Sequence, residues 1–315
     1  MDNITFKKRI LFIGVPDMAY IGLDTLCYAK ANIVGVMGPL KTHNTYYYFK
    51  EFVKSKKLNF IEYDRLDEPD LIEGIKQLNI DIAVVCSFNN KIPKVFLDTI
   101  KDGILNVHPS LLPLYRGGNP YSRVLMNGEK QTGVTIHFMS ENFDEGDIVR
   151  QEVCNIEENE TMGTLFHKTN YIGCKLLLSA LIEYENNGYI KRIQQPEGTF
   201  VTAPNVKDSE MLIDFNKSSY EIECLVRGLN PYMSATTFFN GQVIKMHKVN
   251  IISDNGPDSC KNGEIYKIEN NKIYIKTANG TLLPKVLQYA GYFIGDVEDF
   301  IKIVKPKIGD IFGNG

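Results

Sequence analysis

The feature that most constrains this chain is the alternation, through its first third, of short apolar runs with longer amphipathic stretches. RILFIGV (9–15), NIVGVM (32–37), LNFIEY (58–63), IDIAVVCSF (80–88) and GILNVH (103–108) read as strands. Between them, Met18 to Ala31, His43 to Lys56, Glu68 to Leu78 and Pro93 to Ile100 carry helical spacing. IDIAVVCSF is apolar at successive positions, which suits a strand covered on both faces. Strand–helix alternation of this kind predicts an α/β fold with a doubly wound, mostly parallel sheet. Ligands in such sheets sit beyond the carboxyl ends of the strands. Chemistry is therefore sought first after residues 14, 87 and 106.

Further along, GVTIHFM (133–139), the loop ENFDEGD (141–147) and IVRQEV (148–153) precede a helical stretch from Thr161 to Asn186. Leu165, Ile172, Leu176 and Ala180 are its expected core positions. After about residue 200, short strand-like runs are separated by Asn-Gly, Asn-Asn and Gly turns. They predict a small antiparallel, β-rich domain resembling an open barrel. Ahead of those runs, SSYEIECLVRGLN (218–230) reads as one capped helix. A chain of 315 residues is about two domains of roughly 150 residues each. The expected division is 1–203 and 204–315.

Composition removes several classes. With 43% hydrophobic and 23% charged residues and a net charge of −3, the chain is neither disordered nor fibrous. No apolar run approaches the roughly 18 residues of a membrane span, and MDNITFKKRILFIG reads as a first strand rather than a signal peptide. A cytoplasmic protein with no membrane partner is expected. The six cysteines (27, 86, 154, 174, 224, 260) form no C-x-x-C pair and read as buried thiols. None of the five histidines lies four residues from another, so a helical metal pair is absent. There is no G-x-G-x-x-G, P-loop, H-E-x-x-H or G-x-S-x-G. A near-neutral charge argues against broad nucleic-acid binding.

The informative block is 106–149. Asn106 and His108 stand two apart at a strand end, so period-two geometry puts both side chains on one face. Pro109 stops the strand, and Pro113 with Gly117-Gly118 shapes a long loop. An amide donor beside an imidazole suits an oxyanion site. Asp144, on a later loop, is placed to orient the imidazole and favour its protonated form. The plainer reading is a strand-end histidine bonded to backbone, with Asn106 capping a turn.

The block resembles the signature of the 10-formyltetrahydrofolate-dependent formyltransferases. Asn106-Val107-His108 matches their Asn-x-His strand end, Ser110 to Pro113 their Ser-Leu-Leu-Pro loop, and Tyr115-Arg116-Gly117 the Tyr-Arg-Gly that often follows. Asp144 and Gly146 match the Asp-x-Gly loop. GVPDMA (14–19) and RGLNPYMSATTFFNGQVIKMHK (227–248) extend the likeness over nearly the whole chain. The resemblance implies a Rossmann-like catalytic domain, N10-formyltetrahydrofolate as co-substrate and no metal. It implies Asn106, a protonated His108 and Asp144 as the catalytic group. Folate would be held by Phe88, Asn90, Lys91, Ile92, Leu111, Ser140, Glu141, Asn142 and Phe143. Arg116, Gly117, Asn119 and Tyr121 are the candidate acceptor contacts, with Arg116 suited to a diphosphate or to bracing its loop. His137, inside a strand pattern, is read as structural. Tyr46-Tyr47-Tyr48-Phe49 reads equally as a stacking surface or as core and rim. A homodimer is compatible with the second domain.

For the acceptor, two departures matter. Methionyl-tRNA formyltransferases carry a basic, arginine-rich insertion after the second strand, whereas MGPLKTHNTYYYFKEFVK (37–54) has no arginine. Residues 201–315 hold 13 Lys+Arg and 13 Asp+Glu, a net of zero, where gripping RNA phosphates calls for positive surplus on the contacting face. The stretch 108–137 is similar to formyltransferases acting on UDP-linked 4-amino sugars. The expected reaction is formyl transfer to the primary amine of a UDP- or dTDP-linked amino-deoxysugar, with no nucleic-acid partner. The alternatives are a methionyl-tRNA formyltransferase, a formyltetrahydrofolate hydrolase, or a non-catalytic binder on the same fold.

Overall fold

The computed structural model describes residues 5–313 apart from 17, 89 and 292. Asp17, within the GVPDMA turn, thus lies outside the described residues. In the first half the elements are β1 (Ile10–Gly14), α1 (Met18–Tyr28), β2 (Ile33–Met37), α2 (Tyr46–Ser55), β3 (Phe60–Ile61), α3 (Pro69–Gln77), β4 (Ile82–Cys86), α4 (Lys94–Leu97) and β5 (Ile104–His108). There follow α5 (Pro120–Met126), β6 (Gln131–Phe138), β7 (Ile148–Asn155), α6 (Met162–Asn187) and α7 (Ser219–Leu229). The chain ends through β8 (Ala235–Phe239), β9 (Gln242–Ile252), β10 (Ile265–Glu269), β11 (Lys272–Lys276), β12 (Thr281–Tyr289), β13 (Phe293–Asp296) and α8 (Val297–Val304).

The contacts divide the chain into two compact units that interleave in sequence. The first holds residues 1–118, 131–155 and 167–203; the second holds 119–130, 156–166 and 204–315. The first unit is built on a seven-stranded sheet in the order β3-β2-β1-β4-β5-β6-β7. Strands β1 to β5 are parallel, and β6 and β7 are antiparallel additions at one edge. Every residue of β1 and β4 is buried, as expected for central strands covered on both faces. Leu11, Ile13, Ala83, Val85, Ile104 and Phe96 share one core cluster.

The second unit is an antiparallel sheet in the order β10-β11-β12-β9-β8, with β13 on β12. Along β9, Ile244, Met246 and, past a register shift against β12, Val249 are buried, where they join Phe239, Phe300 and Phe312 in one core cluster. Helix α7 starts where Ser218 and Glu221 form a reciprocal capping box, which satisfies two otherwise orphaned amides.

Several elements differ from the sequence reading. The long loop expected after Pro109 contains α5, whose start is fixed by Asn119 accepting from the Ser122 amide and by Pro120 at the first helical position. Its seven residues are too few to show a clear period. The strand expected over 58–63 pairs only at Phe60 and Ile61, on the outer edge. The helix expected over 93–100 is one turn. Cys86, Cys174 and Cys224 are buried, but Cys27, Cys154 and Cys260 are half-exposed. Tyr46 and Phe49 are core residues, while Tyr47 and Tyr48 point out. Among the described residues, no helix is long and apolar enough to cross a membrane.

Candidate active site

The end of β5 places Asn106 and His108, as period two requires. Pairing with β6 sets Asn106 opposite His137 and His108 opposite Thr135. The chain then leaves β6 at Phe138, runs through 139–147 and returns at Ile148, bringing Asp144 back to the histidines. That excursion needs Gly146: a Cβ there would lie 1.8 Å from the Phe138 carbonyl oxygen.

Asp144 Oδ1 lies 3.6 Å from His108 Nδ1 and 3.6 Å from His137 Nε2. Its other oxygen accepts a 2.9 Å bond from the Gly117 amide. Burial pushes the Asp144 carboxyl up, but His108, His137 and the Gly117 amide together hold it at about 2. It is therefore ionised at any working pH.

His108 is buried, and its Nε2 donates to the Tyr115 carbonyl at 3.0 Å. The lone pair of the neutral ring then falls on Nδ1, facing Asp144. Burial lowers the His108 pKa, Asp144 and the Tyr115 carbonyl oppose that, His137 adds to it, and the net lies below the ordinary imidazole value. Burial thus works against the protonated His108 that the resemblance implies, and Asp144 works for it. Desolvation outweighs the carboxylate, because the two groups are too far apart for a direct hydrogen bond.

His137, expected to be merely structural, belongs to the same group. Its Nδ1 donates to its neighbour's carbonyl, Phe138, at 2.9 Å. Its Nε2 accepts from Asn106 Nδ2 at 3.1 Å. One amide hydrogen of Asn106 is fixed by this bond, and the second remains able to donate elsewhere. The sequence hides this partnership because it depends on β5–β6 register.

Of the two readings of Arg116, its bonds favour bracing the loop. It does not reach outward as a free phosphate ligand. Its Nε and Nη2 donate to Gln195 Oε1 at 3.3 and 2.7 Å, and its Nη1 pairs with Glu145 at 3.2 Å. Gly117 has φ +124, and a Cβ there would meet the Ala203 carbonyl oxygen at 2.6 Å. Tyr115 and Asp144, neither a glycine, are left-handed at φ 60 and 54. Each such residue costs about 1–2 kcal/mol, so the surrounding bonds must hold them.

The remaining candidates occupy three places. Phe88 is half-buried, Ile92 is buried, and Asn90 and Lys91 are exposed in the segment after β4. Leu111 is half-buried beside β6, near Gly133. Ser140, Glu141, Asn142 and Phe143 form an exposed loop, in which Ser140 bonds the Asn142 carbonyl and Asn142 bonds Glu145. Asn119 and Tyr121 belong to the second unit, where Asn119 caps α5 and the Tyr121 ring packs on Phe166 at 5.3 Å.

A fixed amide donor, a buried imidazole and an ionised carboxylate within 3.6 Å of it make a site suited to acyl transfer to a nucleophile. Comparison with known proteins agrees. Residues 33–181 match the Formyl transferase family and residues 205–305 the family Formyl transferase, C-terminal domain. The chain is 33% identical over 312 residues to the methionyl-tRNA formyltransferase of Bacillus subtilis, covering 97% of this chain and 98% of that one. Among solved structures, it resembles an N-formyltransferase from Helicobacter canadensis in complex with folinic acid and dTDP-3-aminofucose. That likeness has a TM-score of 0.67 at 17% identity and covers 88% and 98% of the two chains. WlaRD, a sugar 3N-formyl transferase crystallised with dTDP and 5-N-formyl-THF, gives a TM-score of 0.66 at 18% identity and covers 92% and 100%. The chain belongs to the formyl transferase family, and it is an enzyme. Its likeness to the sugar-acting structures is one of fold, whereas its sequence runs with the tRNA enzyme end to end.

Proposed function

We propose that this enzyme transfers the formyl group of N10-formyltetrahydrofolate to the amino group of methionyl-tRNA. The observation that carries this reading is the end-to-end sequence likeness to an enzyme named for that acceptor. It departs from the amino-sugar acceptor expected from 108–137, a stretch that contains mainly the chemistry common to both branches. The balanced charge of residues 201–315 is compatible with a local positive surplus. β8, β9 and β12 carry Lys245, Lys248 and Lys285 and no carboxylate. Among the described residues, none of the three lysines is in an ion pair. A local basic face of this kind suits RNA phosphates.

The neutral amine attacks the formyl carbon, and the carbonyl electrons move onto oxygen, where the second Asn106 N–H stabilises them. The new ammonium loses a proton to His108 Nδ1, and Asp144 stabilises the imidazolium that results. His108 returns that proton to N10 as the C–N10 bond breaks, releasing tetrahydrofolate. Phe88, Asn90, Lys91, Ile92, Leu111 and the loop 140–143 are the proposed folate contacts, and Asn119 and Tyr121 the proposed acceptor contacts. Arg116 and Gly117 are assigned to bracing the site. The proposed division of labour gives the chemistry to 1–203, with Asn119, Tyr121 and residues 204–315 proposed for acceptor binding.

A second reading, a nucleotide-linked amino sugar, is favoured by one observation. Where the tRNA enzymes carry a basic insertion, this chain packs α2, with Phe49 buried between Tyr20 and Phe60. The test supplies N10-formyltetrahydrofolate with Met-tRNA or with UDP- and dTDP-amino sugars and follows products by mass spectrometry. Formyl-methionyl-tRNA, with KM raised in Lys245→Glu/Lys248→Glu and a shallower salt dependence, supports the reading. Formylated sugar with no formylated tRNA overturns it. Formate release without either product points to hydrolysis.

A further inference from the structure

We infer that Gln195 is a positioning residue that holds the acid–base pair in register from outside the catalytic motif. The inference rests on the reading of His108 and Asp144 given above. The tripeptide Tyr115-Arg116-Gly117 serves both groups at once: the Tyr115 carbonyl accepts from His108, and the Gly117 amide donates to Asp144. Arg116 lies between them, and its guanidinium is gripped by Gln195 Oε1.

The other end of the same side-chain amide completes the clamp. Gln195 Nε2 donates to the Asp144 carbonyl at 2.7 Å and to the Gly146 carbonyl at 2.8 Å. Donors and acceptors are thus matched at both ends, on a side chain only 5% exposed. The backbone after Gln195 continues the support, since Tyr115 donates to the Val201 carbonyl and Ala203 to the Arg116 carbonyl, both at 2.7 Å. One amide therefore ties the loop that orients His108 to the loop that carries Asp144. It sits about fifty residues beyond the nearest catalytic residue, in a segment with no periodic pattern.

The clamp fixes the 3.6 Å gap between Asp144 and His108. Losing it lets Asp144 withdraw, which removes the one carboxylate that raises the His108 pKa. Displacement on the order of 1 Å costs about 10²-fold in rate.

Gln195→Met keeps the side-chain length and removes every hydrogen bond. Gln195→Glu keeps the shape and the acceptor for Arg116 but turns the carbonyl-facing donor into an oxygen. Both are expected to lower kcat by about 10- to 100-fold with little change in KM for folate. In Gln195→Met the low-pH limb of the rate profile should move to lower pH. Wild-type kcat and an unmoved limb in either folded variant would overturn the inference. Should both variants fail to fold, Arg116→Lys tests the same tie from its other end, with the same expected shift, and an unmoved limb again overturns it. Asp144→Asn separates the two levels. If Asp144→Asn keeps wild-type kcat, the catalytic reading fails; if its kcat falls sharply while Gln195→Met is normal, only the clamp fails.

Discussion

Asp144 and Phe143 are neighbours in one loop, yet they live under opposite rules. Asp144 is held by the Gly117 amide on its side chain and by Gln195 on its carbonyl, in a left-handed conformation that only such bonds sustain. Phe143, one residue earlier, shows 58% of its surface to solvent, and Ser140 to Asn142 are bonded chiefly among themselves and to Glu145. The difference separates two tasks. Groups that move protons must stand in place before the substrate arrives, because electrostatic stabilisation works through prior organisation. A cover for a planar cofactor needs only to close on it. The comparison therefore predicts that variants on the fixed side act on kcat and those on the exposed side act on KM.

The largest effect is expected at His108. On the proposed mechanism His108 accepts and returns the proton, so His108→Ala should lower kcat by about 10²–10⁴-fold, measured as formyl transfer at saturating folate. Its pH signature follows from the direction of its shift. The proposed mechanism uses the neutral ring, so activity should be full at neutral pH and fall as pH drops through a value below the ordinary imidazole range. Asp144→Asn removes the group that raises that value, so the limb should shift to lower pH. Activity that is instead lost as pH rises through that value would mean that His108 works as the cation.

Asn106→Ala comes next, with an expected loss of about 10²–10³-fold in kcat, comparable to the loss of one oxyanion donor. His137→Ala offers a finer cut, since it frees the Asn106 amide without deleting it. It should lower kcat less than Asn106→Ala does. A larger loss in His137→Ala would make His137 itself a proton carrier.

The same division governs what the sequence discloses. The parallel sheet is legible because β1 and β4 are apolar at every position, and only a strand covered on both faces can bury such a run. Asn106, His108 and Asp144 are legible because two sit at a strand end and the third in a recognisable loop. Helix α5 is not, because seven residues inside a Gly- and Pro-bearing stretch give no clear period. His137 and Gln195 are hidden for a deeper reason. His137 acquires its role from antiparallel register with Asn106, and Gln195 from a fold that returns the chain to Arg116. The surroundings of His108 are only partly legible, because proximity to Asp144 can be guessed from sequence, whereas the burial that lowers its pKa cannot. Acceptor choice is obscured because total charge says nothing of how lysines are distributed over a sheet.

The smallest expected effect tests the exposed side of the comparison. Phe143→Ala removes a ring that touches little in the free enzyme, so the thermal midpoint should stay near the wild-type value, as for surface substitutions within about 0.5 kcal/mol. If the ring covers the pterin of the folate, its loss removes an aromatic contact worth about 0.5–1.5 kcal/mol. KM for N10-formyltetrahydrofolate should then rise about two- to tenfold, with kcat preserved, the pattern of binding shared equally by ground and transition states. The pH limb should not move, because Phe143 contributes nothing to the field at His108. Steady-state kinetics across pH read all three quantities in one series. A fall in kcat with unchanged KM would show that the exposed loop takes part in organising Asp144, and the contrast between the two neighbours would collapse.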